Sequence, residues 1–378
     1  MRILFTGGGT GGHIFPILAI VRELKRQKSE GIFQEDLKFF YLGPKDYFAQ
    51  LLLSQEEIEF QPILAGKIRR YFNLKSIIEN FFDIFIKTPI GIFQSFFHIF
   101  FISPDIIFSK GGYGSWPVVF SGWNMGVPIF LHESDIVPGL ANKIISRFSL
   151  VVFTSFPKTE YFSLKKMVLT GNPIRLELLE GSKEEAQIRF KLSNQKPVIL
   201  ILGGSQGAQR INDLILHILP KLLDSYEVIH QCGDKNIGGV RTEANAIINE
   251  EQARLYHLSP FLDEIGLSHA YQAADLIVSR AGSGSIFEIA ALGKPSILIP
   301  LSGSAQNHQA ENAFAFAQDG RAIAIEEENL TPNFFLDRLR YLFSHPHETA
   351  EMARKAKEFA QPQAALVITQ YLLDYLSS

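Results

Sequence analysis

Two short clusters in the sequence have the residue types that proton transfer and anion binding require. His13 closes the run Thr6-Gly-Gly-Gly-Thr-Gly-Gly-His13, and His132-Glu133-Ser134-Asp135 follows the apolar run Val127-Pro-Ile-Phe-Leu131. An imidazole and two carboxylates placed just past apolar runs are candidates for general acid–base work. Asn142, seven residues beyond Asp135, adds an amide to the second cluster. Such a cluster can also be turn chemistry, with side chains bonded to nearby backbone. The functional reading requires His13, His132, Glu133 and Asp135 to project from one sheet edge.

A third cluster is Ser279-Arg-Ala-Gly-Ser-Gly-Ser-Ile-Phe-Glu-Ile-Ala-Ala291. Ser285 and Glu288 fit a capping box, which explains both without a ligand. That box leaves Arg280 and the glycines on either side of Ser283 unexplained. A helix N-terminus behind Gly-Ser-Gly is a seat for a diphosphate, and a Glu one turn inside it could reach ribose hydroxyls. The loop Ser302-Gly-Ser-Ala-Gln-Asn-His-Gln-Ala-Glu311 is rich in amides, which suit sugar hydroxyls because each both donates and accepts. It could equally be a solvated loop.

The elements that must position these residues follow from the apolar runs. Arg2-Ile-Leu-Phe5 reads as a strand, the glycine turn follows it, and Ile17, Leu18, Ile20, Val21 and Leu24 have helical spacing. Strand, glycine turn and helix N-terminus make a polar pocket at the carboxyl edge of a parallel sheet. Pro104 to Ser109 then Gly111-Gly-Tyr113 repeats the strand-and-turn part of the plan. Pro197 to Leu202 then Gly203-Gly-Ser-Gln-Gly-Ala-Gln209 repeats all of it. The expected fold class is α/β, with two Rossmann-like doubly wound domains facing across a cleft. A shift to charged composition after Gly171-Asn-Pro173 marks the join. The expected domains are 1–165, with a C-terminal helix over 362–378 returning to it, and 166–361.

Absences narrow the chemistry. Leu42-Gly43-Pro44 has no acidic residue where a dinucleotide fold holds its ribose, which argues against an NAD or FAD enzyme. No Lys-Ser/Thr follows the glycines as in a P-loop, no Gly-x-Ser-x-Gly elbow occurs, and no Asp-x-Asp pair offers a metal-bound nucleotide site. One cysteine, Cys232, excludes a disulfide framework, and a net charge of −3 gives no reason to expect nucleic acid. No basic-then-apolar leader precedes the first strand, so secretion is not expected.

The chain has 32 phenylalanines, unevenly placed, and residues 72–102 are especially rich in them. Asp83, Lys87, Pro89 and His98 interrupt this stretch, so no uninterrupted apolar run reaches the roughly 18–20 residues of a spanning helix. Two buried helices are the first expectation for most of these side chains. The bordering Lys67, Arg69, Arg70, Lys75 and Lys87 suggest a second, an apolar face lying on an anionic membrane surface.

The motifs Gly8-Gly-Thr-Gly-Gly-His-Ile-Phe-Pro16, Gly111-Gly-Tyr113, His132-Glu133, Gly171-Asn-Pro-Ile-Arg175, Gly203-Gly-Ser-Gln-Gly-Ala208 and Arg280 to Glu288 occur in this order, with His308-Gln309 and Asn312 beyond them. Together they resemble the MurG family of peripheral membrane N-acetylglucosaminyltransferases, which convert lipid I to lipid II in peptidoglycan synthesis. The resemblance runs nearly end to end. It implies a GT-B architecture, with UDP-GlcNAc held mainly by the C-terminal domain, and a place on the cytoplasmic face of the inner membrane. It further implies that Thr10, Gly11 and Gly12 approach the diphosphate and sugar, that Arg175 and Ser205 contact the nucleotide, and that the backbone of Leu262 reads the uracil edge. Glu288 would hold the ribose and Gln309 the sugar hydroxyls, while His13, Tyr113, His132, Glu133 and Asn142 would face the acceptor. Asp135 stands where the family usually has Asn, at a position that touches the donor sugar, and Ser283 and Ser285 stand where it has Ala and Thr.

The expected reaction is one inverting displacement, with no metal or other cofactor. His13 is the first candidate base, Asp135 the second, and Glu133 could orient a neighbour. Other possibilities are a related transferase with another lipid acceptor, an enzyme that epimerises UDP-GlcNAc, and a non-catalytic nucleotide-sugar sensor.

Overall fold

Thirteen strands organise the described residues into two parallel sheets, the central strands buried and apolar. The structure is a computed structural model, and it describes residues 1–377 apart from 9, 10, 68, 70–73, 158, 159, 205, 206 and 304–306. The chain divides into two compact units, Met1–Ile174 with Gln361–Ser378, and Arg175–Ala360.

In the first unit, β1 is Arg2–Thr6, β2 Lys38–Gly43, β3 Glu59–Pro62, β4 Ile106–Ser109, β5 Ile129–Glu133, β6 Val151–Thr154 and β7 Met167–Leu169. Their order across the sheet is β3-β2-β1-β4-β5-β6-β7, and every pairing is parallel. A parallel sheet covered on both faces needs apolar side chains on both, which is why β1, β4 and β5 read as continuous apolar runs rather than alternating ones. Ile3, Phe5, Phe108, Phe130 and Phe153 pack on one face; Leu4, Ile107, Ile129, Leu131 and Val152 pack on the other. The last helix, Ala364–Ser377, joins this unit. Ile368, Leu372 and Leu373 enter the core, and Gln27 Nε2 donates to Thr369 Oγ1 at 2.6 Å. Gln361-Pro-Gln363 separates it from the helix Pro346–Phe359.

In the second unit, β8 is Val198–Leu202, β9 Glu227–Gln231, β10 Tyr256–Ser259, β11 Leu276–Ser279, β12 Ser296–Leu298 and β13 Ile323–Ala324. Their order, β10-β9-β8-β11-β12-β13, repeats that of the first sheet. Both sheets therefore reverse direction beside their first strand, between β1 and β4 and between β8 and β11. Ligands of doubly wound sheets sit outside the carboxyl ends of the strands at such a point.

The division falls at Ile174, nine residues beyond the expected 165, because β7 pairs with β6 and extends the first sheet. β3 and β13 were not anticipated. β3 is four residues with Gln and two other non-β-formers, and β13 is two residues long, so neither has a periodic signal.

Residues 74–102 depart most from expectation. They form one continuous rod: the helix Leu74–Phe82, a π-helical turn Asp83–Lys87, and the helix Thr88–Ile102. The widened turn sits just before Pro89, whose ring and missing N–H a regular α-helix does not accommodate. The span Lys75–Ile102, 28 residues, is long and apolar enough to cross a membrane by length and composition alone. Two buried helices were the first expectation, yet Phe81, Phe82, Phe85, Phe93, Phe97, Phe100 and Phe101 are all exposed, Phe93 at 75%. The buried stripe of Thr88–Ile102 is Gly91, Ser95 and Ile99, spaced four apart. Gly91 is required there, since a Cβ would lie 1.8 Å from the Leu64 carbonyl oxygen. Small residues face the protein and phenylalanines face outward. Tyr71, Phe72 and Arg70 lie outside the described residues.

Candidate active site

At the carboxyl edge of the first sheet, β1 ends at Thr6 and the chain turns into the helix Gly11–Ser29. Tyr41 on β2 donates its hydroxyl to the Gly8 carbonyl at 3.1 Å and so pins this turn. Thr10 lies outside the described residues. Gly11 is buried and Gly12 exposed in the first helical turn, and His13 follows them half-buried. A Cβ added at Gly8 would lie 3.0 Å from His13 Nδ1, and one at Gly112 would lie 2.9 Å from its Nε2. Gly112 has φ +81°, a left-handed conformation that favours glycine. The imidazole thus lies beside two glycine turns, one after β1 and one after β4.

Glu133, the last residue of β5, is buried with both oxygens engaged. Oε1 accepts from the Asp135 N–H at 2.9 Å and Oε2 from Asn142 Nδ2 at 2.7 Å. Asn142 Oδ1 accepts from the Gly112 N–H at 3.2 Å. Glu133, Asn142, Gly112 and His13 therefore form one connected row, with Asp135 at its head and Tyr113, partly exposed, beside Gly112. Burial first, and then the Asp135 charge, raise the Glu133 pKa above the ordinary carboxylate range. Buried and held by both N–H donors, it has the geometry of a group that orients the Asp135 turn.

His132 was expected on the acceptor side, but its ring is wholly buried. Nε2 donates to the Gly171 carbonyl at 3.0 Å, and burial, followed by the Lys110 charge, holds its pKa well below the ordinary value. A neutral ring inside the sheet can position the 171–172 turn but cannot touch a ligand. Lys110, absent from the sequence reading, is the cation of this edge. It is buried directly after β4 and its Nζ donates to Ser134 Oγ, which donates to Asn172 Oδ1 at 2.9 Å.

At the carboxyl edge of the second sheet, β8 runs into Gly203 and Gly204, and the helix Gln209–Ser225 follows. Ser205 lies outside the described residues. The helix Ser283–Leu292 begins with Gly282 as its N-cap. Ser285 is therefore the third residue inside the helix, and the capping box with Glu288 does not form. Glu288 instead points inward: Oε1 pairs with Arg175 Nη2 at 3.1 Å and Oε2 accepts from the Tyr271 hydroxyl at 3.0 Å. Arg175 also reaches Glu264 Oε2 at 3.4 Å. Ser283 is buried, and Ser285 is half-buried at the same helix end.

Arg280 is turned away from the glycines it precedes. Its guanidinium donates to the carbonyls of Ile299 and Pro300 at 3.2 and 3.4 Å and pairs with Glu327 at 2.5 Å. Gln309 grips the same segment, its Oε1 accepting from the Leu301 N–H at 2.9 Å. The two residues brace consecutive positions, 299 to 301, at the start of the loop after β12. The Leu262 N–H donates to Gln231 Oε1 at 3.2 Å, and Gln231 Nε2 donates to the Gly204 carbonyl at 3.2 Å. Gln231 therefore ties the Leu262 backbone to the glycine turn. Tyr271, Gln231 and Glu327 have no motif around them, and only their contacts mark them.

Two parallel-sheet units of Rossmann type, each with glycine turns at its carboxyl edge, match the two domains of glycosyltransferase family 28. The N-terminal domain matches over residues 3–154 and the C-terminal domain over 198–368. This is the architecture of a two-domain glycosyltransferase. The chain is 39% identical, over 92% of itself and 92% of the relative, to a protein of Clostridium kluyveri. That relative is named UDP-N-acetylglucosamine--N-acetylmuramyl-(pentapeptide) pyrophosphoryl-undecaprenol N-acetylglucosamine transferase. The crystal structure of Acinetobacter baumannii MurG superposes with a TM-score of 0.72 at 25% identity, covering 99% of both chains. A UDP-GlcNAc 2-epimerase from Neisseria meningitidis, 16% identical, shares the fold with a TM-score of 0.67, covering 99% of this chain and 100% of its own. The chain belongs to the MurG family.

Proposed function

We propose that the chain transfers N-acetylglucosamine from UDP-GlcNAc to the C4 hydroxyl of the muramoyl sugar of undecaprenyl-pyrophosphoryl-MurNAc-pentapeptide, converting lipid I to lipid II. The observation that carries this reading is the 39% identity to a transferase of that name across 92% of both chains. The row from His13 to Asp135 is consistent with it.

In this reading the acceptor hydroxyl attacks the anomeric carbon, the bond to UDP breaks, and the hydroxyl proton passes to a base. His13 is the first candidate base and Asp135 the second. Glu133 and Asn142 hold the turn on which Asp135 sits. The second unit holds the donor. Glu288 is fixed in place by Arg175 and Tyr271 to accept ribose hydroxyls, and the N-terminus of the helix Ser283–Leu292 faces the diphosphate. Arg280 acts on the donor through the loop it braces, with Gln309 at the sugar. Backbone N–H groups and helix dipoles stabilise the departing UDP without a metal.

The exposed apolar face of Lys75–Ile102 lies on the cytoplasmic leaflet of the membrane that contains the acceptor. The basic residues beside it are already partly paired. Arg69 bonds Asp83 at 2.7 Å and Glu79 at 2.8 Å, and Lys87 bonds Asp83 at 2.5 Å. Apolar contact is therefore the main term and charge the lesser one.

The experiment is transfer of radiolabelled GlcNAc to purified lipid I, to diacylglycerol and to no acceptor, each with and without chelator. Transfer to lipid I alone, insensitive to chelator, is the expected result. Its absence with lipid I, or conversion of UDP-GlcNAc with no acceptor, would defeat the reading. Turnover unchanged in His13→Ala would move the base to Asp135, and unchanged in Asp135→Asn would leave it with His13.

A further inference from the structure

Lys110 follows β4 directly and precedes the glycine turn that touches His13. Only 3% of the residue is exposed. Its backbone N–H donates to the Thr6 carbonyl at 2.8 Å, and its ammonium donates to Ser134, so both the backbone and the side-chain terminus are anchored. A lysine is almost never buried this deeply unless its charge is compensated or used. The bond it makes is to a hydroxyl, and Ser134 already has Asn172 as a partner. A neutral side chain of similar length would fill the space without desolvating an ammonium. The charges that act on Lys110 are those of Glu133, at the end of β5, and Asp135, in the loop beyond; His132, also on β5, feels it in turn.

We propose that Lys110 is a positioning residue for the transfer. Its ammonium holds Ser134, and with it the Glu133–Asp135 turn, and supplies the positive charge that offsets the two carboxylates there. This rests on the reading above that the turn serves the acceptor. The electrostatics agree with the geometry. Burial lowers the Lys110 pKa while Glu133 and Asp135 oppose that shift, and burial and Asp135 raise that of Glu133 while Lys110 opposes it. Without the ammonium the two carboxylates repel each other uncompensated, and protonation of Glu133 moves to higher pH.

The test is a double-mutant cycle of Lys110→Met and Asp135→Asn, read by thermal stability and by the pH profile of kcat with UDP-GlcNAc and lipid I. In Lys110→Met the acid limb is expected to move up by about one pH unit and kcat at neutral pH to fall on the order of tenfold, one pKa unit being one factor of ten. The KM for UDP-GlcNAc should not change. In the Asp135→Asn background the same substitution should cost roughly twofold or less, because the Asp135 charge, which raises Glu133 and which Lys110 offsets, is gone. If Lys110→Met alone does not fold, the double variant is still expected to. Ser134→Ala, which leaves both charges, should lower kcat without moving the acid limb. An acid limb that stays in place, or an equal loss in both backgrounds, overturns the proposal. A wild-type chain that binds UDP-GlcNAc but transfers nothing to lipid I sinks the functional reading, and the role of Lys110 with it. Defects confined to the variants are distinct from that outcome.

Discussion

The carboxyl edges of the two sheets share a strand order and a glycine-turn plan, but they treat buried charge in opposite ways. At the second edge each buried guanidinium meets a carboxylate directly: Arg175 pairs with Glu288 and Glu264, and Arg280 with Glu327. At the first edge Lys110 bonds a hydroxyl, Glu133 bonds two N–H donors, and His132 bonds a carbonyl. Direct pairs lock protonation and geometry together, as suits a site that must recognise one donor. Lys110 and Glu133, which sense each other across neutral groups, have pKa values displaced toward neutrality, as suits a site that moves a proton. In the proposed reading, one architecture carries binding chemistry in one unit and acid–base chemistry in the other.

The sharpest way to break this contrast is Arg175→Ala. It leaves the Glu288 and Glu264 carboxylates without their cation, and removing one partner of a buried pair costs about 3–5 kcal/mol. Thermal unfolding should show that loss, and calorimetry should show UDP binding weakened with it. Unchanged UDP binding would mean the ion pair is structural only. Next in size is the proposed membrane face. Phe93→Asp with Phe100→Asp removes two exposed rings whose burial contributes roughly 1.5–3 kcal/mol each. Co-sedimentation with anionic vesicles should fall on the order of a hundredfold while Tm stays within a degree or two, since neither ring is in the core.

Glu133→Gln tests the first edge by pH. The folded-state pKa of Glu133 is raised, so the folded protein holds a proton that the unfolded chain has lost, and stability falls as pH rises above the ordinary value of 4.5. The fall ends once the raised folded-state value is passed. A glutamine has no such proton, so the variant should show a flatter stability–pH curve over that window in thermal melts. A curve as steep as wild type would place the titration elsewhere. The smallest expected effect is at the second edge. Tyr271→Phe removes the hydroxyl that donates to Glu288, worth about 1 kcal/mol, and should raise the KM for UDP-GlcNAc several-fold with kcat unchanged.

The sheet strands and glycine turns were legible because a parallel strand buried on both faces must be apolar throughout, and each run ends at a glycine. Strands β4 and β8 end at the residues expected from sequence, Ser109 and Leu202. The site was legible only in part. Glu133 and Asn142 were named as acceptor-side residues, but nothing in the spacing showed that they bond each other. His132 looked equivalent to His13, although alternation along β5 and its own burial put it inside the sheet. Lys110 was passed over because one basic residue between a strand and two glycines is indistinguishable from a solvated turn until its depth is known. The segment 74–102 misled for the reverse reason, since phenylalanines at helical spacing imply a core wherever a core is available to take them.

Sequence by itself determined where strands, turns and helices lie, since those depend on residue types within a few positions of one another. It also determined the family, since ordered motifs over 378 residues leave little freedom. Tertiary structure alone decided which polar side chains became ligand-facing, which became braces, and which face of the phenylalanine-rich helix was left uncovered. Burial and charge pairing join residues tens to hundreds of positions apart, such as Arg175 with Glu288, and no local pattern contains that information.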